Sequence, residues 1–100
     1  MEIEIMILNT MRYEKEGKQK SRLAYIVPTR EAFSNRESFK GYSELSFYRN
    51  DTKFFDLIPI NFIGQKCKAK IEDKSSASNP LKTYKEIVEI SYNGEVIRLV

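Results

Sequence analysis

The sequence predicts a small, mostly antiparallel β protein. Apolar and polar residues alternate with a period of two over several short segments, and turn-forming residues separate these segments. A chain of 100 residues can bury one modest core but not two. We therefore expect a single domain over residues 1–100.

The clearest predicted strand is Met1 to Leu8, in which three isoleucines face one side and two glutamates and a methionine face the other. The charged segment Arg12 to Lys20 contains Gly17 and predicts a mobile hairpin tip. The same reasoning predicts further strands at Lys20 to Val27, Gly41 to Arg49, Thr52 to Ile58, Lys66 to Ile71, Thr83 to Tyr92 and Glu95 to Val100.

Turn residues predict the connections between these strands. Pro59 and Gly64 bracket one short helical turn, and Asn93-Gly94 predicts a tight type I′ hairpin. Thr29 to Phe39 is compatible with a short helical turn or a surface loop, and Ser75 to Pro80 predicts a flexible loop. The pattern favours a small antiparallel OB-like barrel with one short helical turn, and an SH3-like barrel or a small sandwich remains open.

The composition argues against an enzyme. The chain has no histidine, so it lacks the commonest general base and the commonest metal ligand. It has a single cysteine, Cys67, and no phosphate-binding glycine loop. Cys67 alternates with lysines, which predicts a packed, inward thiol. We expect no catalytic residues, no metal and no cofactor.

Charge and hydropathy indicate the cellular location of the protein and the class of partner that it binds. The formal net charge is +3 and the pI about 9.0, which weakly favours a polyanionic partner such as nucleic acid. No signal peptide is evident at Met1, and no apolar stretch is long enough for a membrane helix. The sequence therefore predicts a cytoplasmic protein without a membrane partner.

Two sets of residues are candidates for a binding surface. Lys66, Lys68 and Lys70 share one face of a predicted strand at about 7 Å spacing, close to the phosphate spacing of an extended single strand. The alternative is a solvated strand face that blocks aggregation at a sheet edge. Tyr42 and Tyr48 share a predicted strand face with polar residues, which suits base stacking or a protein interface.

A third candidate is the basic segment Arg12 to Arg22, whose charges are flanked by tyrosines. It follows the alternating strand EIEIMIL and reads EGKQKSRLAYIV from Glu16 onward. This order of parts resembles the filamentous-phage single-stranded DNA-binding proteins of the gene-five type. The resemblance implies an OB-like barrel, usually a homodimer, that coats single-stranded DNA during replication. It implies that the DNA-binding hairpin contains Lys18, Lys20, Arg22 and Tyr25.

We therefore expect a sequence-tolerant binder of single-stranded DNA or RNA that acts in replication of a phage or mobile element, with replication proteins as further candidate partners. The alternative is a non-enzymatic protein-interaction or structural subunit of such an element, in which the tyrosines and the first strand contact a protein. Salt-sensitive binding to single strands distinguishes the first reading from the second.

Overall fold

The structure, a computed structural model, describes residues 1–28, 33–36, 39–75 and 81–99. Within these residues it consists mainly of strands with one short helix. The elements in chain order are β1 (Glu2–Lys15), β2 (Lys18–Ile26), β3 (Phe33–Arg36), β4 (Phe39–Gly41), β5 (Leu45–Arg49), α1 (Lys53–Leu57), a 3-10 turn (Ile60–Phe62), β6 (Lys66–Ser75), β7 (Thr83–Tyr92) and β8 (Glu95–Arg98).

Six strands form one antiparallel sheet in the order β5-β2-β1-β6-β7-β8, and β3 and β4 pair with each other separately. The predicted fold class, mostly antiparallel β with a short helical turn, is confirmed. The sheet is not closed, because no ladder among the described residues joins its edge strands β5 and β8. The closed barrel therefore stays a prediction.

The hairpin of β1 and β2 is more ordered than the sequence predicted. The two strands pair up to Lys15 opposite Lys18, and Glu16 and Gly17 alone form the turn. Both turn residues have positive φ, 54° and 76°, as a tight two-residue hairpin turn requires. Most of Arg12 to Lys20, predicted as a mobile tip, is therefore paired strand.

A β-bulge at Leu8 interrupts the alternation of β1. Ile7 lies opposite Tyr25, but the next paired residue is Asn9, opposite Ala24. The extra residue reverses which side chains face the core, because strand side chains alternate with a period of two. We call the side of the sheet that carries Ile5 and Ile7 the core face and the opposite side the outer face.

The core forms where the core face packs against the helical segment between β5 and β6. Its fully buried or nearly buried apolar side chains come from four strands, α1, the 3-10 turn and the C-terminal segment: Ile5, Ile7, Leu23, Tyr25, Phe54, Ile58, Phe62, Cys67, Ala69, Ile71, Ile87, Ile90 and Leu99. Burial of each large side chain contributes about 1.5–3 kcal/mol, so these contacts dominate stability.

The prediction of a strand at Thr52 to Ile58 is wrong, because residues 53–57 form α1. Phe54 and Ile58 are both buried, and their spacing of four residues places them on one side of a helical turn. The Lys53 amide donates to the Asp51 carboxylate at 3.0 Å, and the Thr52 carbonyl accepts from two later amides. The predicted turn between Pro59 and Gly64 is confirmed by the 3-10 turn.

The C-terminal strands agree with the sequence. Cys67, Ala69 and Ile71 are buried and alternate with the exposed Lys66, Lys68 and Lys70 in β6, as predicted. The predicted strand at Thr83 to Tyr92 is confirmed, and Asn93 and Gly94 have the positive φ values, 51° and 82°, of the predicted hairpin turn. The final strand is shorter than predicted and ends at Arg98.

Two segments in the middle of the chain differ from the predictions, and parts of two predicted segments lie outside the described residues. Of the strand predicted at Gly41 to Arg49, Gly41 ends β4 with a positive φ of 123°, residues 42–44 are outside any strand, and β5 begins at Leu45. Phe33–Arg36 is a strand rather than a helical turn or loop. The rest of the ambiguous segment, residues 29–32 and 37–38, and most of the predicted loop, residues 76–80, lie outside the described residues.

One ion-pair cluster links distant parts of the sheet. The Arg49 side chain is only 8% exposed and contacts Asp51 and Glu86, each at 2.9 Å. Arg49 lies on β5 and Glu86 on β7, which are separated by three strands in the sheet order. The sheet must therefore curl to bring them together.

Candidate nucleic-acid interface

The hairpin of β1 and β2 separates its charges between its two faces. Along the outer face, Lys15 lies opposite Lys18, and Tyr13 lies opposite Lys20. Arg22 lies opposite Met11 on one side and Tyr48 of β5 on the other. We call the surface formed by Tyr13, Lys15, Lys18, Lys20, Arg22 and Tyr48 the hairpin surface.

Within the paired stretch of the hairpin, residues 6–15 and 18–26, the one carboxylate lies on the other side. Glu14 pairs with Gln19, and Arg12 pairs with Ser21, which is buried on the core face. The guanidinium of Arg12 stands 4.8 Å from the centre of the Phe55 ring in α1. The hairpin surface is therefore basic and aromatic, and the carboxylate of Glu14 does not interrupt it.

A shallow groove of about 410 Å³ lies within the hairpin surface and continues to the end of β5. It is lined by Tyr13, Lys15, Lys20, Tyr48, Arg49 and Asn50. Two aromatic side chains and two ammonium groups thus border one open depression. Such a combination can stack a flat base and neutralise a phosphate at the same place.

Arg22 differs from the lysines around it. It is half-buried, and its Nε is hidden from solvent without a hydrogen-bond partner. Among the described residues Arg22 forms no ion pair, whereas Arg49 and Arg98 each contact a carboxylate. Arg22 is therefore a partly desolvated cation, next to an exposed tyrosine, for which the described part of the chain provides no counter-ion.

The three tyrosines proposed from sequence lie in different environments. Tyr48 is 66% exposed on the hairpin surface. Tyr42 is exposed but precedes β5, so the prediction that the two share a strand face is wrong. Tyr25 is buried and stacks on Phe47 with the ring centres 5.1 Å apart, so its ring cannot stack on a base. We therefore remove Tyr25 from the site.

The stripe of Lys66, Lys68 and Lys70 is exposed on the outer face, as predicted, but carboxylates lie opposite it. Glu4 is opposite Lys68, and Glu2 and Glu89 lie on either side of Lys70. Opposite charges at directly opposed strand positions attract, which lowers the potential that a phosphate would meet. The stripe stabilises strand pairing more readily than it binds a polyanion.

Sequence reasoning placed Tyr13 and Lys15 within the candidate basic segment Arg12 to Arg22 but did not select them as site residues. A strict alternation continued from Ile7 places both residues on the core face, and the bulge at Leu8 moves them to the outer face. Their signal in the sequence was only their place among the charges of the hairpin segment. Lys18, Lys20, Arg22 and Tyr48 were proposed from sequence and do lie together.

The cysteine lies in the core and outside the hairpin surface. Cys67 is buried, and its burial raises the pKa of the thiol. No cluster of three metal-binding side chains occurs among the described residues. None of the helices in the described part of the chain is long and apolar enough to cross a membrane.

Fold and site together define a small antiparallel β protein with one basic, aromatic outer surface. No family model matches the chain, and no significant match was found among curated proteins or solved structures. Arguments about its function therefore depend on its own residues.

Proposed function

We propose that this protein binds single-stranded nucleic acid through the hairpin surface, with little preference for sequence. The observation that carries the proposal is the charge separation of the hairpin. Four cations and Tyr13 share the outer face of its distal part, next to Tyr48 of β5, while the carboxylate of Glu14 lies on the other face with Arg12. Positive charge with exposed rings is how proteins hold flexible strands without reading their bases.

The arrangement of the strands supports the same proposal. Counted along the chain without β3 and β4, the strands of the large sheet are β1, β2, β5, β6, β7 and β8. OB-type barrels bind oligonucleotides on their second and third strands and on the loop between the first two. The corresponding parts here are β2, β5 and the hairpin turn, which carry most of the hairpin surface.

The biological setting is also a proposal. The resemblance to the gene-five type implies a homodimer acting with replication proteins of a phage or mobile element. A protein-interaction subunit is the second candidate, because Phe55, Leu57 and Ile60 in the helical segment are exposed apolar side chains, with Ile60 at 85% exposure. The two functions use different surfaces and can be tested separately.

Fluorescence anisotropy with a labelled 30-mer of single-stranded DNA tests the proposal. We expect affinity that falls steeply with salt, and weaker binding to the matching duplex. The double variant Lys18→Glu/Lys20→Glu should lose most of this affinity. The matched variant Lys66→Glu/Lys68→Glu changes the same charge on the same face and should lose much less, because the stripe already faces carboxylates.

Tyrosine variants test the stacking part of the proposal. Tyr48→Ala should weaken binding about tenfold, since each stacked base is worth about 1–3 kcal/mol. Tyr84 of β7 is also exposed but does not line the groove of the hairpin surface, so Tyr84→Ala is the control. Absence of any binding by the wild-type protein at low salt would reject the proposed function and direct attention to the exposed helical side chains.

A further inference from the structure

The hairpin surface contains a cation that is costly to leave unpaired. Arg22 is half-buried, its ladder partners on the neighbouring strands are Met11 and Tyr48, and its Nε is hidden without a hydrogen-bond partner. Desolvated charges are unfavourable unless a counter-ion or hydrogen bonds compensate them. No carboxylate among the described residues forms an ion pair with Arg22. An anion bound at the outer face would supply the missing counter-ion of the Arg22 guanidinium.

A second unfavourable arrangement lies at the tip of the same surface. Lys15 and Lys18 are directly opposite each other, and the two-residue turn at Glu16-Gly17 fixes that register. Like charges at directly opposed strand positions destabilise a hairpin. An anion lying between these two ammonium groups would turn their repulsion into attraction.

These two positions are the ends of one regularly spaced row. Lys18, Lys20 and Arg22 alternate along β2 on the outer face, which places them about 7 Å apart. Phosphates of an extended single strand are spaced roughly 6 to 7 Å apart. The row ends at the turn in one direction and at Ala24 in the other, since Ala24 is the next outer-face residue and is fully buried.

We infer that the hairpin holds three consecutive phosphates of one extended strand that runs along β2. One phosphate is held by Arg22, the next by Lys20, and the third by the pair Lys15 and Lys18. Tyr48 lies beside the first position and Tyr13 beside the second, so the bases adjoining these phosphates have rings to stack on. This inference rests on the proposed function and specifies its ligand as a segment of four linked nucleosides.

A length series tests the number of phosphates. Unlabelled oligothymidylates of two to eight residues, without terminal phosphates, compete at low salt with a labelled 30-mer. We expect affinity to rise several-fold with each added nucleotide up to four, which carry three phosphates. Beyond four nucleotides, affinity should rise only slightly, because a longer oligonucleotide merely has more ways to place three consecutive phosphates on the row. A steep rise that continues to eight nucleotides would overturn the inference.

Salt dependence tests the role of Arg22. For the tetranucleotide, the slope of log affinity against log salt should be about −2, from about 0.7 for each phosphate. Arg22→Met should reduce this slope by about 0.7 and weaken binding roughly tenfold, whereas Arg22→Lys should keep the slope. Lys68→Met removes one charge from the same face and should leave the slope unchanged. Circular dichroism confirms that each variant is folded.

The outcomes separate this inference from the proposed function. No binding of the 30-mer by the wild-type protein rejects both. Binding of the 30-mer with an unchanged slope in Arg22→Met rejects the three-phosphate row and leaves the proposed function standing. A slope change in both Arg22→Met and Lys68→Met rejects the row as well, because the outer face would then act only through its total charge.

Discussion

Ser21 and Arg22 are adjacent on β2, and each has a buried side-chain atom without a hydrogen-bond partner. Because adjacent side chains of a strand point to opposite faces of the sheet, these two unsatisfied atoms lie in different surroundings. Arg22 is on the outer face, where a ligand can reach its guanidinium. Ser21 is fully buried on the core face, so its hydroxyl only costs stability.

Ser21→Ala should therefore stabilise the protein. Removing a buried, unsatisfied hydroxyl recovers its desolvation cost and leaves only a small loss of volume, so we expect the free energy of unfolding to rise by about 1 kcal/mol. Urea denaturation measures the change, with Ser46→Ala on the outer face of β5 as control. A clear drop in stability would show that the Ser21 hydroxyl makes a useful interaction in solution.

At the scale of single elements, the sequence predicted hairpins better than it predicted the helix. Asn93-Gly94 between two alternating runs predicts the hairpin of β7 and β8, because this dipeptide strongly favours a tight two-residue turn. The aromatic segment before Pro59 has high strand propensity, yet it forms α1 because the core accepts Phe54 and Ile58 from one side. Tertiary packing decides such short segments.

Asp51 connects α1 to the ion-pair cluster and makes stability depend on pH. Its hydrogen bond from Arg49 lowers the pKa of the carboxyl below the usual 3.8. A lowered folded-state pKa means that its contribution is complete above the unfolded pKa and is lost as pH falls through the folded pKa.

Between pH 5 and pH 2, the wild-type protein should therefore lose more unfolding free energy than Asp51→Asn. At pH 7 we expect Asp51→Asn to cost about 1 kcal/mol, because the Asp51 side chain is 40% exposed and solvent weakens the pair. Chemical denaturation across this pH range measures the difference. The exposed-carboxylate variant Asp73→Asn is the control, and parallel pH curves for the wild type and Asp51→Asn would contradict the expectation.

At the scale of the whole molecule, the large sheet behaves as a curled layer with two open edges among its described strands. The ion pair between Arg49 and Glu86 crosses the gap between β5 and β7 at 2.9 Å. Sequence alone could not predict this contact, because the two residues are 37 positions apart and nothing local pairs them. The same curl supports the hairpin surface, since β5 supplies Tyr48.

Glu86→Gln should loosen β5 selectively. Edge strands open in local fluctuations more easily than central ones, and loss of the charged partner removes a restraint on that opening. Hydrogen exchange should accelerate at the amides of Leu45–Arg49 while the central residues Ile5 and Cys67 stay protected. Glu72→Gln alters an exposed pair with Lys74 and is the control. Uniform acceleration across the sheet would mean that the pair supports global stability instead.

The bulge at Leu8 changes which face of the sheet the odd-numbered residues of β1 occupy. Before it, odd-numbered residues such as Ile5 and Ile7 fill the core, and after it odd-numbered residues such as Tyr13 and Lys15 face outward. Closing the bulge at constant chain length would shift β1 by one residue against β2 beyond Ile7 and place Glu14, instead of Lys15, opposite Lys18 on the outer face. The one extra residue at position 8 therefore decides which charges of the distal hairpin a ligand on the outer face would meet.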